Sequence, residues 1–293
     1  MIKRARYKSP LANIGLFYTA AVWGSTFFLV KQSLISINPV VLVAYRFIIA
    51  AIILAGVLIY QKKTLFKHLK EGLILGFFIW VLYIAQTLGL KITTAANSGL
   101  ITGFFVAFVP LFSILFFKKK PALTGIIATI VSLTGLLVLT GGLKNVNTGD
   151  IITLLSAMAY AIHILFADRY VKNGLDPYIL NFQQFLFVGL ASLLTGLIFK
   201  LPFTVADINV IWVILFLALF PTLSAFVIQL AAQRFTAPIT VSLILAFEPV
   251  FAVIFAWTLG REYYETSKAI GGFLIFLALV ISALPSRRLG NKN

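Results

Sequence analysis

Apolar residues fill long, nearly unbroken runs of this chain, and short segments carrying Lys, Asn, Pro or Gly separate them. A helix rises about 1.5 Å per residue, so about 20 mostly apolar residues cross the hydrocarbon of a bilayer. On that measure the pattern predicts ten spanning helices, at 11–35, 40–60, 72–90, 95–117, 121–142, 150–170, 178–199, 208–231, 238–259 and 268–285. The connections are short, as at Asn38-Pro39, Lys120-Pro121 and Gly174-Leu175-Asp176-Pro177, and none is long enough to be a separate soluble domain. The fold class expected is therefore all-α, a polytopic membrane protein.

Composition strengthens this reading. The chain is 61% hydrophobic and 11% charged, against about 25% charged in a soluble domain. Its formal charge of +16 does not point to nucleic acid, because the basic residues sit in short clusters between apolar runs, as juxtamembrane anchors do. Lys3, Arg4, Arg6 and Lys8 precede the apolar run 11–30, which is about twice the length of a signal-peptide core and reads as a retained first span. With both termini cytoplasmic, 17 loop lysines and arginines lie inside, clustered at 3–8, 62–70, 118–120, 169–172, 234 and 287–292. Only five lie outside, namely Lys91, Lys144, Lys200, Arg261 and Lys268. The positive-inside bias thus places both ends in the cytoplasm of a cell in whose plasma membrane the chain is embedded. The absence of cysteine excludes disulfides and thiolate metal sites.

The two halves echo each other. Tyr83-Ile84-Ala85-Gln86 and Lys91-Ile92-Thr93-Thr94 correspond to Phe226-Val227-Ile228-Gln229 and Arg234-Phe235-Thr236-Ala237 at a constant offset of 143. Pro39 before the second span matches Pro177 before the seventh, and Pro110 matches Pro249 if about one helical turn is inserted in the first half. Five spans per half is an odd number, so the second half must be inverted, and inverted repeats with interrupted helices point to a secondary transporter.

Trp23-Gly24-Ser25, Tyr45-Arg46-Phe47, Gly99-Leu100-Ile101-Thr102-Gly103 through Pro110, and Glu248-Pro249 with Gly260-Arg261-Glu262 make the chain resemble the EamA family of the drug/metabolite transporter superfamily over about residues 11–285. The resemblance implies two inverted five-helix repeats, 1–143 and 144–293, a central cavity between them and alternating access. Members export amino acids, other metabolites or toxic cations, so it implies a small-molecule substrate without naming it.

Glu248 is the sharpest single feature. It lies about ten residues into the ninth span, where a charge costs about 2.5–3.5 kcal/mol and should face a cavity or a partner. Pro249 cannot donate to the carbonyl of Leu245, so a kink and a free acceptor are expected beside the carboxyl group. Such a site suits a proton, a cation or a substrate ammonium. Polar residues on other spans complete a candidate cavity: Tyr83 and Gln86 on the third, Asn97 and Thr102 on the fourth, Tyr160 and His163 in a Thr153-Ser156-Tyr160-His163 stripe on the sixth, and Gln229 on the eighth. Trp23, Trp80 and Tyr160 could add an aromatic wall. Lys31 is expected to snorkel to the outer interface, whereas for Arg46, deeper in the second span, snorkelling and an interhelical pair or anion contact are equally expected. Spans five and ten carry no internal polar residue larger than Ser or Thr and read as scaffold.

An intramembrane enzyme would need a nucleophile and base, paired acids or metal ligands at mid-depth. One acid and only two histidines, His68 and His163, do not supply them, and no cofactor motif is visible. A channel would need a filter or a charged ring, and none is apparent. No phosphate-binding Gly-Lys-Ser/Thr loop occurs, so ATP drive would require another protein.

Overall fold

The computed structural model describes residues 2–118, 121–142, 146–205, 207–258 and 264–284. Lys119, Lys120, Lys144, Arg261, Arg287, Arg288, Lys292 and the Gly260-Arg261-Glu262 motif lie outside the described residues, as do the side chains of Lys3, Arg4, Arg6 and Lys8. Among the described residues the regular structure is helical. It comprises α1 (Ile2–Gly24), α2 (Thr26–Ser33), α3 (Pro39–Tyr60), α4 (Leu69–Ile92), α5 (Ala95–Gly103), α6 (Phe105–Phe117) and α7 (Leu123–Thr140). It continues with α8 (Thr148–Lys172), α9 (Pro177–Ile198), α10 (Ile208–Leu217), a π-helical segment (Ala218–Ser224), α11 (Ala225–Gln233), α12 (Pro238–Leu245), α13 (Glu248–Thr258) and α14 (Thr266–Ala283).

Among the described residues nine stretches are long and apolar enough to cross a membrane, and each coincides with an expected span. The tenth expected span overlaps the shorter apolar helix Thr266–Ser282. The turn dipeptides act as helix starts. Asn38 Oδ1 accepts from Val40 N at 3.0 Å and Asp176 Oδ1 from Tyr178 N at 2.8 Å, each with proline in the first turn, where its missing N–H costs no helix bond. Asn147 and Asp150 form a capping box at the start of α8, and Asp150 also accepts from Thr93, which ties α8 to the end of α4.

Four spans are not continuous α-helices. The first breaks at Ser25, the fourth at Phe104 and the ninth at Ala246–Phe247, while the eighth passes through the π segment around Pro221. The break at Phe104 and that at Phe247 stand 143 positions apart. So do the starts of α5 and α12, and both ends of α7 and α14. No inserted turn is therefore needed, and the expected correspondence of Pro110 with Pro249 gives way. Pro110 lies inside α6, whereas Pro249 occupies the first turn of a new helix. Pro249 consequently follows a break instead of kinking a continuous helix.

Packing pairs α3 with α9, α4 with α8 and α9, and α1 with α11. The outer faces remain apolar, as at Ile52, Phe77, Leu115, Leu194 and Phe273, which suits contact with lipid. The scaffold pair α7 and α14 packs backbone to backbone, because a Cβ at Gly271 would lie 2.4 Å from Leu139 N and one at Gly135 2.8 Å from Gly271 O. Gly271→Val should lower stability by about 1–3 kcal/mol through overpacking. A drop in the melting temperature of detergent-purified protein checks this, and an unchanged one would show that the helices can part freely.

Loop contacts join ends expected on the same side. Lys63 pairs with Asp176 at 2.7 Å, and Gln183 Nε2 donates to Leu65 O and Lys67 O at 2.8 and 2.9 Å. Partial burial raises the Asp176 carboxyl, but the Lys63 ammonium and backbone N–H donors outweigh it and hold the group below the usual carboxylate range.

Candidate functional site

The interrupted helices converge on Glu248. This residue opens α13 directly after the break and is only 8% exposed. No hydrogen bond or ion pair reaches it among the described residues. It borders a cavity of about 30 Å³ together with Trp23, Thr26, Leu82, Tyr83, Gln86, Thr102, Tyr160 and Phe226. That volume holds about one water. Gln86 Nε2 donates to Thr102 Oγ1 at 3.2 Å, which links α4 to α5 across the cavity wall.

Aromatic side chains shape the rest. The Trp23 ring lies 5.7 Å from Tyr160 and 5.2 Å from Phe226, and Phe105 meets Tyr160 edge-on at 4.9 Å. The Trp23 indole is fixed because Nε1 donates to Pro221 O at 2.7 Å. Pro221 belongs to the π segment, a helical irregularity that frequently marks functional sites. The backbone of Gly24 passes so near the break that a Cβ there would lie 2.5 Å from Glu248 O.

Arg46 is 5% exposed and does not reach the interface. Its Nε donates to Thr222 Oγ1 at 2.5 Å and its Nη2 to Tyr83 Oη at 3.2 Å, with the guanidinium carbon 4.5 Å from the Tyr83 ring centroid. Thr222 also belongs to the π segment, and its own hydroxyl donates to Leu217 O at 2.7 Å.

Of the nine residues expected in the site, six meet at the cavity: Trp23, Tyr83, Gln86, Thr102, Tyr160 and Glu248. The other three do not line it. Asn97 sits at the start of α5, where Nδ2 reaches Asp150 Oδ2 at 3.4 Å. His163 Nε2 bonds Gln184 Oε1 at 2.9 Å beneath the ring of Tyr160, and Gln184 in turn donates to Asn181. Gln229 Nε2 lies 3.5 Å from Gln233 Oε1, and Gln233 donates to Ile164 O. Trp80 is absent from the aromatic wall; Phe226 takes that place. Lys31 donates to Leu90 O and Thr93 O at 2.6 and 2.8 Å, where a cation suits the carbonyl end of α4. Thr26, Leu82 and Phe226 escape sequence reasoning, though Phe226 stands 143 positions after Tyr83 and that spacing was its signal.

A larger cleft of about 670 Å³ lies between α6, α8 and the start of α12 and shares no residue with this cavity. Its rim carries Lys118, Arg169 and the Asp168–Lys172 ion pair, and its floor is Val109, Leu165 and Ile239.

The sequence matches the EamA-like transporter family over residues 10–141 and 147–284. The chain belongs to that family. An "Uncharacterized transporter" of Archaeoglobus fulgidus is 31% identical over 280 residues, covering 94% of this chain and 87% of the relative. Protein PagO of Salmonella typhimurium is 28% identical over 290 residues, with 92% and 90% covered. A solved crystal structure superposes with a TM-score of 0.80 over 96% of this chain and all of that one, at 18% identity, which speaks for the fold alone. This EamA-family chain is a multi-pass membrane transporter, and its two family matches divide it where the first helix of the second half begins.

Proposed function

We propose that the chain is a secondary transporter that exports a small organic solute across the plasma membrane by alternating access, with proton exchange at Glu248. In this reading ten transmembrane helices form two inverted five-helix repeats, 1–143 and 144–293, around the central cavity. The carrying observation is a buried carboxyl group without a partner among the described residues, set among aromatic and amide side chains where four interrupted spans meet. Discontinuous helices at mid-depth are the arrangement in which transporters bind solute. A space for one water cannot hold an organic solute, so the helices must part to admit one, and the breaks supply the places where they can turn. Export is the direction that the family resemblance suggests.

Saturable uptake into proteoliposomes with counterflow tests the carrier mechanism, and unsaturable flux would instead mean a channel. Bulky replacements at the wall carry the site itself. Gln86→Trp and Thr102→Trp should cut transport by about tenfold or more, since they overfill a tightly packed site, while the protein still reaches the membrane. Thr134→Trp on the exposed face of α7 should have little effect. Equal losses at all three would reduce the cavity to packing.

Orientation follows the distribution of loop charges. Both termini should be cytoplasmic, so single cysteines at Lys3 and Asn291 should resist an impermeant thiol reagent in intact cells. Rapid labelling of either reverses the assignment.

A further inference from the structure

Arg46 is a buried cation with no carboxylate paired to it among the described residues. A guanidinium carries five N–H donors. Nε is taken by Thr222 and Nη2 by Tyr83, and Nη1 makes no hydrogen bond to a described residue. The Tyr83 face, 4.5 Å away, compensates the charge only in part. A permanently ionised group held out of water without a counter-charge is strongly disfavoured unless an anion arrives to join it. Lysine could shed its proton in such a place, but arginine cannot.

The surroundings indicate where that anion would sit. Arg46 borders a small void of about 10 Å³ with Thr26, Tyr83 and Gln86. The same three residues also line the cavity of Glu248. The two voids are therefore neighbours across one polar wall, the first with a fixed cation and the second with an acid. Beyond the wall, Trp23, Tyr160 and Phe226 offer an apolar surface.

We propose that Arg46 is the carboxylate-binding subsite of the transport site, so that the substrate is a solute bearing a carboxylate group, with its apolar body against the aromatic wall. The inference rests on the transporter reading given above and adds the substrate class. The planar fork of Arg46 matches a carboxylate bidentately. An organic acid would leave Glu248 to its proton, whereas a zwitterion would place an ammonium group beside it. Carboxylate recognition by Arg46 is common to both.

The test uses purified full-length protein and four probes: 3-phenylpropionate, 3-phenylpropionamide, phenylalanine and phenylalaninamide. Thermal shifts in detergent and counterflow in proteoliposomes are read for each. Carboxylates should bind and the matching amides should not. Arg46→Gln should lose about thirtyfold or more of the carboxylate affinity, the range seen when one partner of a buried charge pair is removed. Arg46→Lys, which keeps the charge but not the fork, should fall between. A response to 3-phenylpropionate marks an organic-acid site, and a response to phenylalanine alone marks a zwitterion site. Should Arg46→Gln fail to fold, the carboxylate-to-amide ratio of the wild-type protein still decides. Amides that bind as well as acids, or undiminished carboxylate binding in a folded Arg46→Gln, overturn the subsite. Counterflow of the amides with no preference for acids would do so while leaving the transporter reading intact. No binding and no counterflow with any probe would overturn the subsite, and the transporter reading would stand or fall on its own counterflow test.

Discussion

Glu248→Gln should leave the protein folded and in the membrane but unable to concentrate its solute against a gradient. The substitution keeps volume and hydrogen-bonding capacity and removes only the titratable charge. One proton exchanged per solute lets a pH difference of one unit sustain about tenfold accumulation, because one pKa unit and one decade of concentration are the same free energy. The Gln variant should fall to a ratio near one, while exchange of solute for solute continues. Glu248 borders the central cavity with no described partner, so a purely structural role has no bond to point to. Accumulation of a radiolabelled solute in proteoliposomes at imposed pH differences measures the effect. A Gln variant that concentrates solute with the wild-type pH profile would make Glu248 structural and move coupling elsewhere.

The second large effect is expected from the smallest change. At Gly24 a methyl group would lie 2.5 Å from Glu248 O and 3.0 Å from Ala252 N, both of them backbone atoms that no rotamer change can move aside. Gly24→Ala should push the end of α1 away from the start of α13, at about 1–3 kcal/mol of stability, and displace the acid from its cavity. Transport should drop by about a hundredfold, since a 1 Å misplacement can cost that much. Gly56 provides the control, because a Cβ there meets nothing within 4 Å. Gly56→Ala should be neutral or slightly stabilising through helix propensity. Melting temperature and transport rate of the two variants decide it; equal behaviour would mean that the close approach at Gly24 is not needed.

The spans were legible because lipid imposes one requirement on a whole run of residues. The interruptions were less so. Ser25, Phe104 and Ala246 are not strong helix breakers themselves, and Gly24, Gly103 and Pro249 mark only that an interruption lies near. At Ala246–Phe247 the local signal is Pro249, which cannot donate to Leu245 O, and the backbone of α1 also passes close by at Gly24. Pro221 did leave a local mark, yet a proline alone does not distinguish a kink from a π segment. Within the site, periodicity gave faces but not depths. Tyr160 and His163 share a face of α8, but Tyr160 reaches the cavity whereas His163, one turn on, is captured by Gln184 of α9. Asn97 was drawn off in the same way by Asp150. A polar residue inside a membrane protein takes the first partner that another helix offers, and that helix is not visible from its own sequence neighbourhood.

Where α4 crosses α8, a Cβ at Gly89 would lie 2.6 Å from Gly149 O and one at Gly149 2.7 Å from Gly89 O. Two glycines facing each other in this way interlock like teeth: neither helix can slide along the other without driving a carbonyl into a backbone. Mechanically, α4 and α8 are then one beam, carrying Tyr83, Gln86 and Tyr160 as a fixed wall. The levers are α2, α5 and α12, eight or nine residues long, each joined to its partner helix through a single weak joint. In the transport cycle we propose, the short arms would swing and the beam would stay where it is.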